Sequence, residues 1–355
     1  MAECQQSGHQ PAVPHSPVTF PLNAYLLAFL GAGLTTAVTL PRWRTWCRRT
    51  GLVDDPGHRK IHQAPIPLAG GFAVLTGLLL PMIAGVTVLV AQGLAVDSSG
   101  RASGAFLDLH TMERLLYGLD RRWLQLAAIF AGAAGMVALG WLDDKHELKP
   151  ATKFAGQFLI AGLVAAAGVR ITLFVPSVIF SYAVTILWIL SVTNAFNFMD
   201  NMNGLCAGLG AIGAGAFAVL AALRGQYLVA SLALLTTGAL LGFLPYNYPK
   251  ATVFLGDAGS HLVGFILAIL AILPHFYSRK DPDAWAVLTP LLVLAVPLLD
   301  MAWVVILRWR SGQPFYVGDT NHLSHRLVRR GWSPTRAVAV ILALGALSGG
   351  LAFLL

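Results

Sequence analysis

Residues 124–142 have the sequence LQLAAIFAGAAGMVALGWL, a mostly apolar stretch that ends directly at two acids, Asp143 and Asp144. A transmembrane helix needs about 20 consecutive, predominantly apolar residues, so this stretch predicts a helix that crosses a bilayer and ends in two carboxylates. The whole 355-residue chain is 56% hydrophobic and only 11% charged, whereas a soluble domain is about 25% charged. A soluble globular protein is therefore excluded, and we expect an all-α integral membrane protein.

Nine further apolar runs of membrane length accompany this stretch. Together with the run described above, which extends over residues 123–142, the ten runs are residues 22–40, 68–96, 123–142, 154–174, 178–196, 205–223, 228–246, 261–277, 285–307 and 336–355. We therefore predict about ten transmembrane helices in a single polytopic membrane domain, residues 22–355, preceded by a polar N-terminal segment, residues 1–21.

The basic residues are unevenly divided between the loops on the two sides of these runs. The loops that follow the first, third, fifth, seventh and ninth runs carry about two thirds of the 24 Lys and Arg residues. Loops rich in Lys and Arg stay in the cytoplasm, so these loops are predicted to be cytoplasmic and both termini extracytoplasmic. Because the formal net charge of +8 follows membrane topology, we expect no nucleic-acid partner.

Asp143 and Asp144 belong to the first of several polar clusters on the predicted cytoplasmic side. Adjacent carboxylates repel each other, so they remain ionised only beside a cation or basic groups. Three lysines, including Lys153, follow within a short distance. Taken alone, this pattern is equally typical of an ordinary solvated helix end.

The segment NAFNFMDNMNGL, residues 194–205, places several amides and an acid where an apolar helix leaves the bilayer. Polar groups at this depth are costly unless they face a cavity or a ligand. Asn194, Asn197 and, by its spacing, Asn201 would share one helical face and line one pocket. Asn203 and Gly204 suit a turn with a left-handed residue before the next helix. Polar contacts between helices are the alternative interpretation.

Residues 254–260, FLGDAGS, place one carboxylate, Asp257, between two glycines and just before an apolar run. Glycine lets backbone approach a ligand closely, and the N-terminus of a following helix favours phosphate. Mg²⁺ prefers oxygen ligands together with substrate phosphates. The segment therefore favours a site for a cation and a phosphate, with a simple tight turn as the alternative.

Two histidines, His322 and His325, precede Arg326 in the last basic loop. Phosphate or sugar binding is favoured over zinc, because zinc would need a third or fourth ligand. Asp300 lies inside the ninth apolar run, where an acid predicts either a functional site or a pairing with another helix.

These clusters, in this order, resemble the polyprenyl-phosphate N-acetylhexosamine-1-phosphate transferases of glycosyltransferase family 4. The resemblance covers nearly the whole chain, from Gly51 to Leu327, and includes Gly70 and Gly71 in the first predicted cytoplasmic loop. It implies an all-helical enzyme of the bacterial cytoplasmic (inner) membrane, with about ten spans and an active site facing the cytoplasm.

The resemblance also implies a reaction. The enzyme would transfer N-acetylglucosamine 1-phosphate, or a related sugar phosphate, from a UDP-N-acetylhexosamine to undecaprenyl phosphate and release UMP. This step would begin a lipid-linked envelope glycan, such as the O-antigen of lipopolysaccharide or a teichoic acid linkage unit in cell wall biogenesis. Mg²⁺ is the implied cofactor, with Mn²⁺ as a substitute, and a homodimer is compatible with the family.

Residue roles follow only from the motifs that match. The implied catalytic residues are Asp143, Asp144, Asp200 and Asp257, and the implied metal ligands are Asn197 and Asp257. The implied substrate-binding residues are Arg59, Lys60, Lys153, Asn194, Asn203, His322, His325 and Arg326.

The chain departs from the family pattern at three positions. Asn201 stands where the family has glycine, Asn203 where many members have an acid, and Ser324 where common members have histidine. The peptidoglycan branch has consecutive histidines in this last loop, so we favour the N-acetylhexosamine branch over the phospho-N-acetylmuramoyl-pentapeptide transferases. These departures leave the identity of the sugar open.

Two further alternatives remain. A multi-pass transporter or scramblase with a cytoplasmic acidic site is the alternative of another class, although such proteins usually carry polar sites near the midplane of two related halves. For the enzyme, direct transfer between the two substrates and a two-step route through a phosphorylated aspartate both remain open.

Overall fold

The computed structural model describes residues 20–55, 64–94, 109–172, 175–274, 284–314, 316 and 320–355, and the described part is almost entirely helical. Its α-helices are α1 (Leu22–Thr50), α2 (Gly70–Leu94), α3 (Leu109–His146), α4 (Pro150–Ala166), α5 (Val178–Met199), α6 (Leu205–Leu223), α7 (Tyr227–Asn247), α8 (Gly256–Ile272), α9 (Thr289–Val293), α10 (Ala295–Arg310), α11 (Leu323–Arg329) and α12 (Pro334–Leu351). Short 3₁₀ turns, Ala284–Leu288 and Ala352–Leu354, precede α9 and follow α12.

Seven of the described helices are long and apolar enough to cross a membrane, and the number is eight if the bent pair α9–α10 is one span. The fourth and eighth predicted runs fall on α4 and α8, which have 17 residues each and are shorter than the roughly 20 residues that a full crossing needs. A multi-pass, all-α membrane architecture is confirmed. The number of ten crossings and the orientation of the termini stay predictions.

Helix α8 lies at the centre of the bundle, which explains how a short helix is accommodated. Nearly all of its side chains are buried, and it packs against α2, α3, α5 and α6. Its apolar composition alone would equally suit a helix that faces lipid, so the burial of its side chains is what places it inside the bundle. The polar residues at the start of α8 are therefore surrounded by the ends of other helices.

The ninth predicted run is broken rather than straight. The segments on either side of Leu294 differ in direction by 76°. Pro297, in the first turn of α10, lacks the N–H that would continue the hydrogen-bond ladder to Val293, which removes one restraint against bending.

The only strand pairing in the described ranges is a short antiparallel pair, β1 (Val53–Asp54) and β2 (Ile66–Pro67). The end of β2 and the residues after it form hydrogen bonds with the segment that leads into α8. The Phe254 N–H donates to the Pro67 carbonyl at 2.9 Å, and the N–H of Gly70 donates back to the Phe254 carbonyl at 3.0 Å. The first loop is thereby anchored beside the N-terminus of α8.

Candidate active site

Four helix ends meet at one place: the C-termini of α3 and α5 and the N-termini of α4 and α8. The approach of α3 to α8 depends on Gly140, because a Cβ atom at this position would collide with the backbone of Asp257 and Ala258. The turn from α3 to α4 is closed by a side chain of the cluster itself, since Asp143 Oδ1 accepts the Leu148 N–H at 2.8 Å.

The ammonium group of Lys153 binds two of the predicted catalytic acids at once. Its Nζ lies 2.6 Å from Asp143 Oδ2 and 2.7 Å from Asp257 Oδ2. All three side chains are largely shielded from solvent, being 17%, 11% and 32% exposed for Lys153, Asp143 and Asp257. The expectation that a nearby basic residue accompanies the acid pair is therefore confirmed, and that residue is Lys153.

Asn197 completes this group from α5. Its Nδ2 donates to Asp257 Oδ1 at 2.8 Å and to Ser260 Oγ at 3.0 Å, which leaves its Oδ1 facing Lys153 Nζ at 3.5 Å. An amide oxygen and two carboxylate oxygens therefore converge on one cationic nitrogen.

This donor set is compatible with the implied Mg²⁺. Mg²⁺ prefers hard oxygen ligands and is usually held by one or two carboxylates, with water and substrate phosphates as the other ligands. Asn197 and Asp257 provide an amide oxygen and a carboxylate at adjacent positions. Among the described residues, no three His, Cys, Asp or Glu side chains form a group that could hold a metal by themselves. Asn197 and Asp257 thus provide two oxygens of the kind that such an ion prefers.

Asp144 has a different role from Asp143. Its Oδ1 accepts the Asp257 N–H at 2.9 Å and its Oδ2 accepts the Ala258 N–H at 3.1 Å. A carboxylate at this position satisfies free N–H groups at the helix N-terminus and favours the positive end of the helix dipole. Asp144 therefore pairs with two of the N–H groups at the start of α8, and the expected contact of this helix end with a phosphate stays a prediction.

Asp200 lies directly after α5 and faces the same cluster. It is half-buried and accepts a hydrogen bond from the Gly256 N–H. Burial, followed by the nearby carboxylates of Asp257 and Asp144, raises the pKa of Asp200 well above its ordinary value. The four predicted catalytic acids therefore belong to one electrostatic group.

A second polar layer lies one helical turn deeper in the bundle. Asn194 Nδ2 donates to Gln157 Oε1 at 2.7 Å, and Gln157 Nε2 lies 3.3 Å from His261 Nε2. Asn194 contacts this layer, and its assignment to substrate binding stays a prediction. Sequence reasoning missed Gln157 and His261, although each follows a predicted site residue by four positions and so shares its helical face.

Asn201 does not share a helical face with Asn194 and Asn197, contrary to the prediction. Helix α5 ends at Met199, so Asn201 lies in the following turn and contacts Ser324 of α11, with Ser324 Oγ donating to Asn201 Oδ1 at 2.7 Å. Asn203 Nδ2 donates to the Pro249 carbonyl at 3.2 Å. The predicted left-handed turn residue is confirmed as Gly204, whose φ is 77°.

Asp300 connects α10 to the predicted substrate loop. Its Oδ2 lies 2.6 Å from His322 Nδ1, and its Oδ1 accepts the Leu323 N–H at 2.7 Å. The pairing of this intramembrane acid with another segment is confirmed, and its partner is a predicted substrate-binding residue. His322 in turn contacts the ring of Phe198, with 5.4 Å between ring centroids.

The other two predicted residues of this loop lie on the same segment. The ring centroids of His325 and His322 are 6.4 Å apart, and the guanidinium carbon of Arg326 lies 5.2 Å from the centroid of the Trp303 ring. Through Phe198 and Asn201, α11 therefore lies against the end of α5 that carries Asn197 and Asp200. Arg59 and Lys60 lie outside the described residues.

Comparison with known proteins shows which family this chain resembles. The model of glycosyl transferase family 4 matches residues 126–275, the part that carries Asp143, Lys153, Asn197 and Asp257. A probable undecaprenyl-phosphate N-acetylglucosaminyl 1-phosphate transferase of Bacillus subtilis (strain 168) is 32% identical over 328 residues, which are 90% of this chain and 82% of the relative.

Two further relatives cover similar lengths. A decaprenyl-phosphate N-acetylglucosaminephosphotransferase of Mycobacterium tuberculosis (strain ATCC 25618 / H37Rv) is 32% identical over 349 residues, covering 90% of this chain and 80% of the relative. An undecaprenyl-phosphate alpha-N-acetylglucosaminyl 1-phosphate transferase of Escherichia coli (strain K12) is 26% identical over 319 residues, covering 86% and 76%.

Proposed function

The chain belongs to the polyprenyl-phosphate N-acetylhexosamine-1-phosphate transferases of glycosyl transferase family 4, and from this membership we propose its reaction. The protein transfers N-acetylglucosamine 1-phosphate from UDP-N-acetylglucosamine to a polyprenyl phosphate such as undecaprenyl phosphate, and releases UMP. The observation that carries the proposal is the group of Asp143, Asp257, Asn197 and Lys153, held at the ends of apolar helices within the part of the chain that matches the family.

In the proposed reaction an oxygen of the lipid phosphate attacks the β-phosphorus of the donor. The bond between that phosphorus and the bridging oxygen breaks, and the bridging oxygen leaves with UMP. Phosphoryl transfer depends mainly on positioning and charge neutralisation by the protein. A phosphate monoester has a second pKa near 6, so at neutral pH the acceptor is largely a dianion and a competent nucleophile.

The residues of the cluster divide this work. Lys153 would neutralise phosphate oxygens, because it supplies the cationic group of the cluster, 2.6 Å from Asp143 and 2.7 Å from Asp257. Asp143 is the candidate base for a remaining proton on the acceptor, because one of its oxygens is paired with the side chain of Lys153, whereas both oxygens of Asp144 accept backbone N–H groups of α8. Asp144 therefore acts as a positioning residue for Asp257. Asp200 and Asn203 would orient the nucleotide sugar, together with His322, which directly precedes α11, and His325 and Arg326 of α11.

Mg²⁺, or Mn²⁺ in its place, is the proposed cofactor, held by Asp257 and Asn197, and it would neutralise charge on the donor pyrophosphate when bound. Asn197 Oδ1 and Asp257 Oδ2 both face the Lys153 ammonium, and this convergence of two oxygens on one cationic group supports the assignment.

We propose the membrane arrangement that the loop charges predict, with the cluster and α11 at the cytoplasmic face of a bacterial inner membrane and both termini outside. About ten crossings would then include α4, α8 and the bent pair α9–α10. Residues 22–355 would form a single domain. The muramoyl-pentapeptide branch is less well supported, since the relatives described above are named for N-acetylglucosamine.

The test is an assay of purified protein with undecaprenyl phosphate, Mg²⁺ and a panel of UDP-sugars, in which UMP and the lipid product are measured together. We expect UMP and one lipid-linked sugar phosphate in equal amounts, both abolished by EDTA. Folded protein that makes neither product with any UDP-sugar would overturn the proposal and return the transporter class to consideration.

A second assay of the purified protein distinguishes direct transfer from a two-step route through a phosphorylated aspartate. Incubation with donor labelled in the β-phosphate, without lipid acceptor, should give no stoichiometric UMP and no labelled protein if transfer is direct. Labelled protein together with one equivalent of UMP would instead establish an intermediate on an aspartate.

A further inference from the structure

Two of the three departures from the family pattern meet in space. Ser324 Oγ donates to Asn201 Oδ1 at 2.7 Å, although the residues are 123 positions apart in sequence. The other end of the Asn201 amide is also used, because its Nδ2 donates to the Phe198 carbonyl at 2.6 Å. The orientation of Asn201 is therefore fixed from both sides.

The surroundings of this pair leave little room for other side chains. Ser324 is 1% exposed, and Asn201 is half-buried in the turn that follows α5. Interiors are close-packed, and inserting even a few atoms forces neighbouring groups to move. A histidine at position 324 would have to displace the Asn201 side chain, whereas a glycine at position 201 would vacate the space that such a histidine needs.

The pair joins two segments that both carry predicted donor-binding residues. Asn201 directly follows Asp200, and Ser324 lies between His322 and Arg326. The contact between the Phe198 and His322 rings, 5.4 Å apart, connects the same two segments. The turn after α5 and the start of α11 are thus held as one unit at two points.

We infer that Asn201 and Ser324 are a matched pair of positioning residues that fixes α11 to the turn after α5 and so pre-organises the binding site of the nucleotide-sugar donor. The inference rests on the proposed function, which assigns both segments to the donor. The lipid acceptor is assigned to the side of Asp143 and Lys153, which the pair does not touch among the described contacts. Loss of the pair should therefore weaken the donor and spare the acceptor.

A double-mutant cycle tests the coupling. We expect Asn201→Gly and Ser324→Ala each to raise the KM for the UDP-sugar about fivefold or more, because each leaves a buried or half-buried polar group without its partner. The double variant should raise it no further than the worse single variant, since the two residues act through one hydrogen bond. The KM for undecaprenyl phosphate and the kcat should stay within about twofold of wild type.

A second set of variants guards against simple misfolding. Ser324→Thr keeps the hydroxyl and should retain most of the donor affinity. Ser324→His alone should lose activity about tenfold or more, whereas combination with Asn201→Gly should restore it to within about threefold of Asn201→Gly alone, because the glycine makes room for the ring. Ser348→Ala, which removes a hydroxyl bonded only within α12, is the matched control and should match wild type.

The outcomes separate the two claims. Suppose that the wild type is active. If the fold-changes in donor KM of the two single variants multiply in the double variant, or if the variants raise the acceptor KM as much as the donor KM, the paired positioning role is overturned and the transferase assignment stays intact. A wild type without transferase activity would overturn both.

Discussion

At the scale of single residues, the cluster is organised by one lysine. Lys153 lies between Asp143 and Asp257, and Asn197 holds the second oxygen of Asp257. Asp143 and Asp257 therefore each have a defined partner on both oxygens: Lys153 on one, and the Leu148 N–H or the Asn197 amide on the other. A charge removed from this group changes the electrostatics of the remaining members.

We predict that Asp257→Asn lowers kcat by at least tenfold, because loss of preorganised charge at a phosphoryl-transfer site typically costs about 10²-fold or more. Folding should be preserved, since the amide keeps an acceptor for Asn197 and Lys153 still binds Asp143. Glu147→Gln is the control: it changes an exposed acid directly after the C-terminus of α3 and should behave like wild type. A near-normal rate for Asp257→Asn would remove the metal assignment.

Asp300 allows a second prediction at this scale. Asp300→Ala leaves both His322 Nδ1 and the Leu323 N–H without a partner, and each buried group left unsatisfied costs about 1–3 kcal/mol. We expect donor affinity to fall at least fivefold. Asp300→Asn keeps one acceptor oxygen and should give an intermediate loss. Equal activity of all three proteins, measured by UMP release, would show that His322 needs no such support.

At the scale of elements, the site depends on how closely α3 approaches α8. Gly140→Ala should lower the apparent melting temperature in detergent by roughly 2–10 °C, because overpacking costs about 1–3 kcal/mol and the added methyl meets backbone rather than a movable side chain. Gly85→Ala on α2, where an added methyl meets nothing within 4 Å, is the matched control. An unchanged melting temperature for Gly140→Ala would show that α3 can shift without loss.

The elements were largely predictable from sequence, and the contacts between them were not. Apolar run length located α4 and α8 only approximately, as residues 154–174 and 261–277, whereas the structure shows two 17-residue helices that begin and end about four or five residues earlier or more. Spacing placed several lysines near Asp143 and could not select Lys153, whereas Lys145 instead lies over the Trp141 ring. Long-range partners such as Asp300 and His322, or Asn201 and Ser324, leave no local signal, because nothing in either segment encodes the position of the other.

At the scale of the whole molecule, the proposed orientation makes a prediction that is independent of activity. In a protein with its three native cysteines replaced, a single cysteine at the exposed position Lys149, written Lys149→Cys, should react with a membrane-impermeant maleimide only after cells are permeabilised. Arg224→Cys, in the exposed turn between α6 and α7, should react in intact cells. The reverse pattern would invert the topology and place the acidic cluster outside the cytoplasm.

The two stacked polar layers also restrict how the helices can move. Lys153, Asp257 and Asn197 form the outer layer, and the inner layer of Gln157, His261 and Asn194 lies one turn below it on the same three helices. One turn of an α-helix is about 5.4 Å. If α8 moved by that distance along its axis toward the outer layer, His261 would reach the level of Lys153. The Lys153 ammonium would then face an imidazole in place of the Asp257 carboxylate. A rotation would break both layers together. Polar contacts at two depths therefore fix both the axial position and the rotation of α4 and α8 relative to α5. These two helices are too short for the bilayer thickness alone to fix their positions.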